Sequence, residues 1–213
     1  MKIPSVVRHA QLLWTQVNEQ LLNISTIDLT QWSEPTGWWR GPATDRSAHA
    51  DNHAYGTPDY YYIRRILKTL RLQPHDVVYD IGSGMGRIVC MVSRQNVKKA
   101  VGIELLPDLC DIARANAAKM RGRRCPIEIR CGDASRAELS DGTVYFLFNP
   151  FGPETLADVV DNIEASLSQH PRTVQIVYYN SNYSGVLEKR DWLTLWHTFK
   201  TWNGLPVQFY RSA

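Results

Sequence analysis

The chain has 213 residues, which is enough for one substantial hydrophobic core but few for two domains with separate cores. Its 44% hydrophobic and 21% charged residues are typical of a folded globular protein and argue against wholesale disorder. The net charge of +3, from 24 basic and 21 acidic residues, is too even a balance to indicate a polyanionic partner by itself. The densest basic cluster, between Lys119 and Arg124, fits a solvated loop better than a phosphate contact.

No long apolar run follows the basic residues near the N-terminus, so the sequence predicts neither a signal peptide nor a membrane span. We therefore expect a cytoplasmic protein. The cysteines show neither Cys-x-x-Cys pairing nor zinc spacing, and we expect reduced, buried thiols at Cys90, Cys110, Cys125 and Cys131.

The first 58 residues differ in pattern from the rest. Apolar residues recur at intervals of three and four from Ser5 to Leu22, which predicts an amphipathic helix. From Trp32 to Pro58 the chain is rich in glycine and proline without periodicity, which indicates an irregular connection. We expect residues 1–58 to form an N-terminal helix and an irregular lid or substrate segment, and residues 59–213 to form the core domain.

Beyond Pro58 a helix is expected to end before Pro74, and then short apolar strands alternate with helical patterns. The predicted strands are 77–81, 100–105, 127–130, 144–148 and 174–179, and the predicted helices are 87–95, 109–120 and 154–167. A helix-like stretch at 186–192 precedes two further strands, 195–202 and 207–210, around Asn203-Gly204, which is a strong hairpin pattern. The sequence thus predicts an α/β fold: a doubly wound, mostly parallel seven-stranded sheet with an antiparallel C-terminal hairpin.

The most informative motif is Asp80-Ile-Gly-Ser-Gly-Met-Gly86, which follows the first strand and opens a helix. Ligands of such sheets bind at the carboxyl ends of the strands. A dinucleotide site needs Gly-x-Gly-x-x-Gly, but here the third glycine comes one position early and Arg87 stands where that pattern has glycine. The spacing, with its leading acid, resembles motif I of class I S-adenosylmethionine-dependent methyltransferases, which have a Rossmann-like fold.

That resemblance implies S-adenosylmethionine as cofactor, with Asp80, Gly82, Ser83, Gly84 and Gly86 lining its site. Glu104 ends the second strand and can accept hydrogen bonds from both ribose hydroxyls; a helix-capping role is the alternative. Asp133 ends the third strand, where the resemblance implies a contact to the adenine amine and an ordinary turn aspartate is the alternative. The Asp-x-Gly-Ser-Gly opening with Gly102-Ile-Glu104 also looks like Dot1-type lysine methyltransferases.

The fourth strand ends in Phe148-Asn-Pro-Phe-Gly152, which matches motif IV of amino-methyltransferases with one proline where that motif has two. The resemblance implies that the Asn149 amide oxygen accepts from the target amine, beside the cofactor, and that Phe151 stacks on the acceptor. A structural Asn-Pro turn is the alternative. Tyr55, Phe151 and the run Tyr60 to Tyr62 are candidate aromatic contacts to the sulfonium, although that run also fits packing of a helix.

We hypothesise that the Trp32-to-Pro58 segment covers the sheet edge as a lid, with Tyr55 near the methyl donor. His49 and His53 have i, i+4 spacing but no third ligand, so two solvent-exposed histidines are favoured and no metal site is expected.

The expected function is methyl transfer to a nitrogen or oxygen of a small molecule or a protein side chain. The alternatives are a catalytically silent subunit that binds S-adenosylmethionine or S-adenosylhomocysteine, and a nucleotide-dependent oxidoreductase, which the glycine spacing disfavours. A nucleic-acid substrate is disfavoured by the charge balance, no membrane partner is expected, and the sequence leaves the oligomeric state open.

Overall fold

A computed structural model describes residues 5–26 and 56–212. In chain order these contain α1 (Ser5–Leu22), α2 (Tyr60–Leu70), β1 (Val77–Ile81), α3 (Arg87–Val92), β2 (Lys99–Glu104), α4 (Pro107–Lys119), β3 (Ile127–Cys131), a 3-10 turn (Ala134–Arg136), β4 (Val144–Phe148), α5 (Pro153–Gln169), β5 (Gln175–Tyr179), α6 (Gly185–Glu188), β6 (Leu193–Lys200) and β7 (Pro206–Ser212).

The strands form one seven-stranded sheet in the order β3-β2-β1-β4-β5-β7-β6. The first five of these are parallel, whereas β7 pairs antiparallel with both β5 and β6. The chain order reverses between β1 and β4, so the carboxyl ends of these two strands flank a crevice at which ligands of open α/β sheets bind. The predicted fold class, including its C-terminal hairpin, is confirmed.

Helices cover both faces of the sheet, as the continuous apolar strands require. One buried cluster joins α2 and α3 to alternate strand residues such as Val78 and Phe146. The other joins α5 to the intervening residues, among them Tyr79 and Leu147. Because side chains alternate along a strand, successive positions of β1 and β4 contribute to opposite cores.

Most predicted elements shift by one or two residues at an end, and the differences with a clear local cause lie at α3, at α6 and in the C-terminal hairpin. The helix α3 ends at Val92 rather than Gln95, because the Ser93 hydroxyl donates to the Cys90 carbonyl and the next residues form a turn. The helix α6 is a single turn, and β6 already begins at Leu193. The hairpin turn takes in Trp202: the Gly204 amide donates to Thr201, and Gly204 has a φ of 85°.

The helix predicted at the N-terminus is confirmed, but of its apolar residues Leu22 faces the core and several others do not. Leu13, Val17 and Leu21 are exposed, whereas Thr15 and Asn18 are buried. Polar contacts hold α1 to the core, since Asn18 accepts a hydrogen bond from Arg64 of α2. The helix therefore attaches through polar side chains as well as through Leu22, which periodicity alone could not show.

Candidate functional site

The glycine segment forms the turn that joins β1 to α3. Gly82, Gly84 and Gly86 have φ values of 76°, 52° and 85°, a region that favours glycine. The amides of Gly82 and Ser83 both donate to the Ile103 carbonyl of β2, at 2.9 Å each. The turn is thus fixed against the end of the neighbouring strand.

Gly82 is required by space as well as by its φ. A Cβ atom on Gly82 would lie 2.5 Å from the Pro150 Cβ, a distance that such atoms do not reach. Pro150 belongs to the loop that follows β4, so the motifs after β1 and β4 meet directly at the crevice. The sequence predicted these motifs at the same edge of the sheet, and the structure places them in contact.

Glu104, at the end of β2, holds the glycine turn. Its Oε2 accepts from the Gly84 amide at 2.8 Å, and its Oε1 accepts from the Leu106 amide at 3.0 Å. Burial raises the pKa of Glu104, and the hydrogen bonds from the Leu106 and Gly84 amides partly offset that rise. The bond to Leu106 lies at the start of α4, as the capping alternative predicts, and contact with a ribose stays a prediction.

Asp80 lies one strand away, fully inside the sheet. Burial, and then the nearby Glu104 carboxylate, raise the pKa of Asp80 well above its ordinary value. In the part of the chain that the structure describes, Asp80 Oδ2 and the buried Ser83 hydroxyl have no hydrogen-bond partner.

The buried carboxyl groups of Asp80 and Glu104 indicate which kind of cofactor fits the glycine turn. A pyrophosphate would bring further negative charge beside Asp80 and Glu104, which repulsion opposes. A ligand with a cationic amine and hydroxyl groups would satisfy both the carboxylates and the unpaired Ser83 hydroxyl. S-adenosylmethionine carries these groups, so the residues present fit it better than they fit a dinucleotide.

Asp133 follows β3 and is half-buried. Its Oδ1 accepts from the Ser135 amide at 2.9 Å and the Ser135 hydroxyl at 2.8 Å, which caps the 3-10 turn. This is the geometry of the turn-aspartate alternative. Contact between Asp133 and adenine stays a prediction.

The loop after β4 contains the residues predicted to meet the methyl acceptor. Asn149 has a φ of 41°, and its Oδ1 accepts from the Tyr178 hydroxyl of β5 at 3.1 Å. Phe151 is buried in the core cluster that includes α5. Asn149 therefore has a fixed amide orientation at the crevice, whereas Phe151 packs as a core residue and its stacking on an acceptor remains a prediction.

The other predicted aromatic and histidine residues divide between core and undescribed positions. Tyr60 and Tyr62 are buried in the core of α2, as the packing alternative expected, and Tyr61 is exposed. Tyr55, His49, His53 and most of the predicted lid segment lie outside the described residues. Within residues 5–26 and 56–212, no group of three metal-ligating side chains comes together and no helix is long and apolar enough to cross a membrane.

Arg87 was noted in the sequence only because it occupies the position at which the dinucleotide pattern has glycine. In the structure it joins the N-terminal segment to the glycine turn. Its guanidinium donates to Thr26 Oγ1 at 2.7 Å, to the Pro58 carbonyl at 2.9 Å and to Glu19 Oε1 at 3.3 Å. It also lies over the Tyr60 ring, 4.7 Å from the centroid. An arginine opening a helix whose residues are all buried must be paired, and that pattern could have indicated its role.

Asn116 of α4 is a second residue that the sequence analysis missed. Its Nδ2 donates to the Met85 carbonyl at 2.9 Å and the Ser25 carbonyl at 2.7 Å, and its Oδ1 accepts from the Ser25 amide at 2.9 Å. It follows Leu109 and Ala113 on the buried face of α4. A polar residue on an apolar helical stripe is the pattern that indicates such a site.

Comparisons with known proteins agree with this geometry. The family described as "Histone methylation protein DOT1" matches residues 46–127. A protein-lysine N-methyltransferase of Saccharolobus islandicus is 35% identical over 89 residues, which is 40% of this chain and 53% of that protein. A probable ribosomal RNA small subunit methyltransferase A of Methanosarcina barkeri is 35% identical over 83 residues, 39% of this chain and 27% of that protein.

The chain thus spans about half the length of the first of these relatives and less of the second. Among solved structures, an RNA methyltransferase of Salinibacter ruber in complex with S-adenosylhomocysteine superposes with a TM-score of 0.54 and 26% identity. That match covers 74% of this chain and 92% of the other. Since relatives named for RNA appear beside one named for protein lysine, the expectation that a nucleic-acid substrate is disfavoured gains no support.

The glycine turn, the carboxylate pair, the strand order and these relatives agree on one assignment. By its fold, its glycine turn and these relatives the chain is similar to the class I S-adenosylmethionine-dependent methyltransferases, and the same likenesses support S-adenosylmethionine as its cofactor.

Proposed function

We propose that the protein transfers the methyl group of S-adenosylmethionine to a nitrogen of a protein side chain, with lysine as the favoured acceptor. The observation that carries this proposal is the direct contact of Pro150 with Gly82, which brings Asn149 to the cofactor turn. An amide oxygen accepts a hydrogen bond from an amine, so it suits an N–H acceptor better than an ester-forming carboxylate. The similarity to a protein-lysine methyltransferase supports lysine.

Within this proposal S-adenosylmethionine would supply an electrophilic methyl group to the acceptor nitrogen, with the new nitrogen–carbon bond replacing the carbon–sulfur bond and S-adenosylhomocysteine as the leaving group. The turn and Glu104 would hold the ligand against the strand ends, and the buried Asp80 carboxyl group would face its cationic amine, which favours the ionised form that burial by itself disfavours. Asn149 orients the attacking nitrogen, and the Tyr178 hydroxyl fixes the direction of the Asn149 amide. Such positioning is the main source of rate in a displacement without covalent catalysis.

The test uses S-adenosylmethionine labelled in its methyl group, incubated with the protein and a cell extract and then separated into protein, RNA and small-molecule fractions. Acid-stable label recovered as methyl-lysine from the protein fraction is the expected result. Ribonuclease-sensitive label, or label only in small molecules, contradicts the proposal. Binding of S-adenosylhomocysteine without any transfer identifies the silent binding subunit instead.

Two variants test the role of Asn149. Asn149→Ala should lower kcat about 100-fold, because a misplaced acceptor costs roughly that factor, while cofactor affinity changes less. Tyr178→Phe removes only the hydrogen bond that orients the amide and should cost about 5- to 10-fold. Equal kcat values for Asn149→Ala and the unmodified protein would exclude Asn149 from the acceptor site.

A further inference from the structure

Two thiols meet at the end of β2, beside the predicted ribose ligand Glu104. The Cys110 thiol, from the first turn of α4, donates to the Glu104 carbonyl at 3.3 Å. The Cys131 thiol, from the end of β3, lies 3.9 Å from the Leu105 carbonyl. Cys131 is also the residue of β3 that pairs with Glu104 in the sheet, so both thiols lie against the same stretch of backbone, residues 104–105.

Their exposures differ in a way that suits stepwise oxidation. Cys110 is fully buried, whereas Cys131 is exposed, so the expectation of a buried thiol is wrong at Cys131. Burial, and then the neighbouring Cys131, raise the pKa of the Cys110 thiol, so Cys110 reacts slowly with an oxidant from solvent. An oxidant from solvent therefore meets Cys131 first, and Cys110 stands next to it as a resolving thiol.

We propose that Cys110 and Cys131 form a peroxide-sensitive disulfide that weakens cofactor binding when it closes. The Cys131 sulfur attacks a peroxide oxygen, the O–O bond breaks, and Cys131 becomes a sulfenic acid with release of water. The Cys110 sulfur then attacks the Cys131 sulfur and displaces hydroxide, which takes the Cys110 proton to form a second water. The peroxide is reduced by two electrons, and the two thiols are oxidised to one disulfide.

Closing this bond changes the surroundings of the cofactor site. A disulfide needs the sulfurs about 2.05 Å apart, which is closer than two unbonded sulfur atoms can approach. Drawing them together pulls on the 104–105 backbone and on Gly132, whose amide donates to the same Glu104 carbonyl at 2.8 Å. Those segments carry Glu104 and Asp133, the residues predicted to hold the adenosine.

The experiment treats the full chain with hydrogen peroxide and measures two quantities, the mass of the protein and its affinity for S-adenosylhomocysteine. We expect a mass loss of about 2 Da, a Cys110–Cys131 peptide in a non-reducing digest, and binding weakened at least about tenfold. Dithiothreitol should restore the affinity. The proposal rests on cofactor binding and not on methyl transfer, so neither readout depends on the acceptor proposed above.

Serine variants separate this pair from the other cysteines. Cys131→Ser should keep its affinity after peroxide treatment, whereas Cys125→Ser, which changes another buried thiol that contacts a backbone carbonyl, should remain sensitive. Cys131 recovered only as sulfenic or sulfinic acid overturns the proposal. So does a fully disulfide-bonded protein with unchanged affinity, or loss of affinity in oxidised Cys131→Ser.

Discussion

Replacing Arg87 with methionine should destabilise the protein far more than its position on the rim of the cofactor turn suggests. The guanidinium is 4% exposed and donates to Glu19, Thr26 and the Pro58 carbonyl. Methionine fills much of the same volume but supplies none of these donors. The substitution therefore leaves the Glu19 carboxylate, whose side chain is only 12% exposed, without its partner charge.

The expected loss follows from that unpaired charge. Breaking a buried ion pair by removing one partner costs about 3–5 kcal/mol of unfolding free energy. For a domain of this size that corresponds to a Tm lower by roughly 6–20 °C. An exposed ion pair provides the control. Arg114 lies beside Asp111 on the surface of α4, and Arg114→Met should lower the unfolding free energy by less than about 0.5 kcal/mol.

Urea unfolding of the single variants and of Arg87→Met with Glu19→Gln measures the coupling. Removing both charges should recover part of the loss, because no ionised group is then left buried alone. Hydrogen exchange should accelerate at the Thr26 and Gly86 amides in Arg87→Met. A loss below about 1 kcal/mol, or a double variant as unstable as the sum of the two singles, would refute the reasoning.

Further predictions concern the cofactor turn itself. Asp80→Asn should raise the Tm of the ligand-free protein at neutral pH, because the raised pKa of Asp80 means that folding opposes its ionisation. This gain in Tm should disappear as the pH falls below the ordinary pKa of 3.8. The same substitution should weaken the binding of S-adenosylmethionine. Glu104→Gln should weaken S-adenosylhomocysteine binding about 10- to 100-fold by calorimetry, and an unchanged Kd would remove Glu104 from the site. Gly82→Ala should cost about 1–3 kcal/mol in urea unfolding because its Cβ meets Pro150, whereas Gly185→Ala, with open space around it, should stay within about 0.5 kcal/mol.

The sequence predicted the parts of the fold that local pattern determines. The limits of β1 and β4 agree with the prediction because both strands are apolar runs between turn residues. The glycine spacing favoured S-adenosylmethionine over a dinucleotide. It could be read from the sequence because each of these glycines has the positive φ that the turn requires. The short α6 and the early start of β6 could not be predicted, since the pairing of β6 with β7 ended the helical pattern near Glu188.

The residues that the sequence analysis missed act over long separations in the chain. Arg87 contacts Glu19, 68 residues earlier, and Asn116 contacts Ser25, 91 residues earlier. Periodicity indicates which face of a helix is apolar. It does not indicate which distant group forms hydrogen bonds with a polar residue on that face. The outward-facing apolar residues of α1 have the same origin, because its contacts to Arg64 and Arg87 decided which face turned inward.

These long-range contacts also change what the glycine motif does. Arg87 stands where a dinucleotide motif has its last glycine, and its side chain donates to Thr26 and to the Pro58 carbonyl. Asn116 ties the same region to the Met85 carbonyl inside the turn. Coupling between two sites is reciprocal. If these contacts favour the binding of a ligand at the glycine turn, that ligand stabilises the contacts by the same free energy. The glycine motif is therefore in contact, through Arg87 and Asn116, with residues on both sides of the 27–55 stretch.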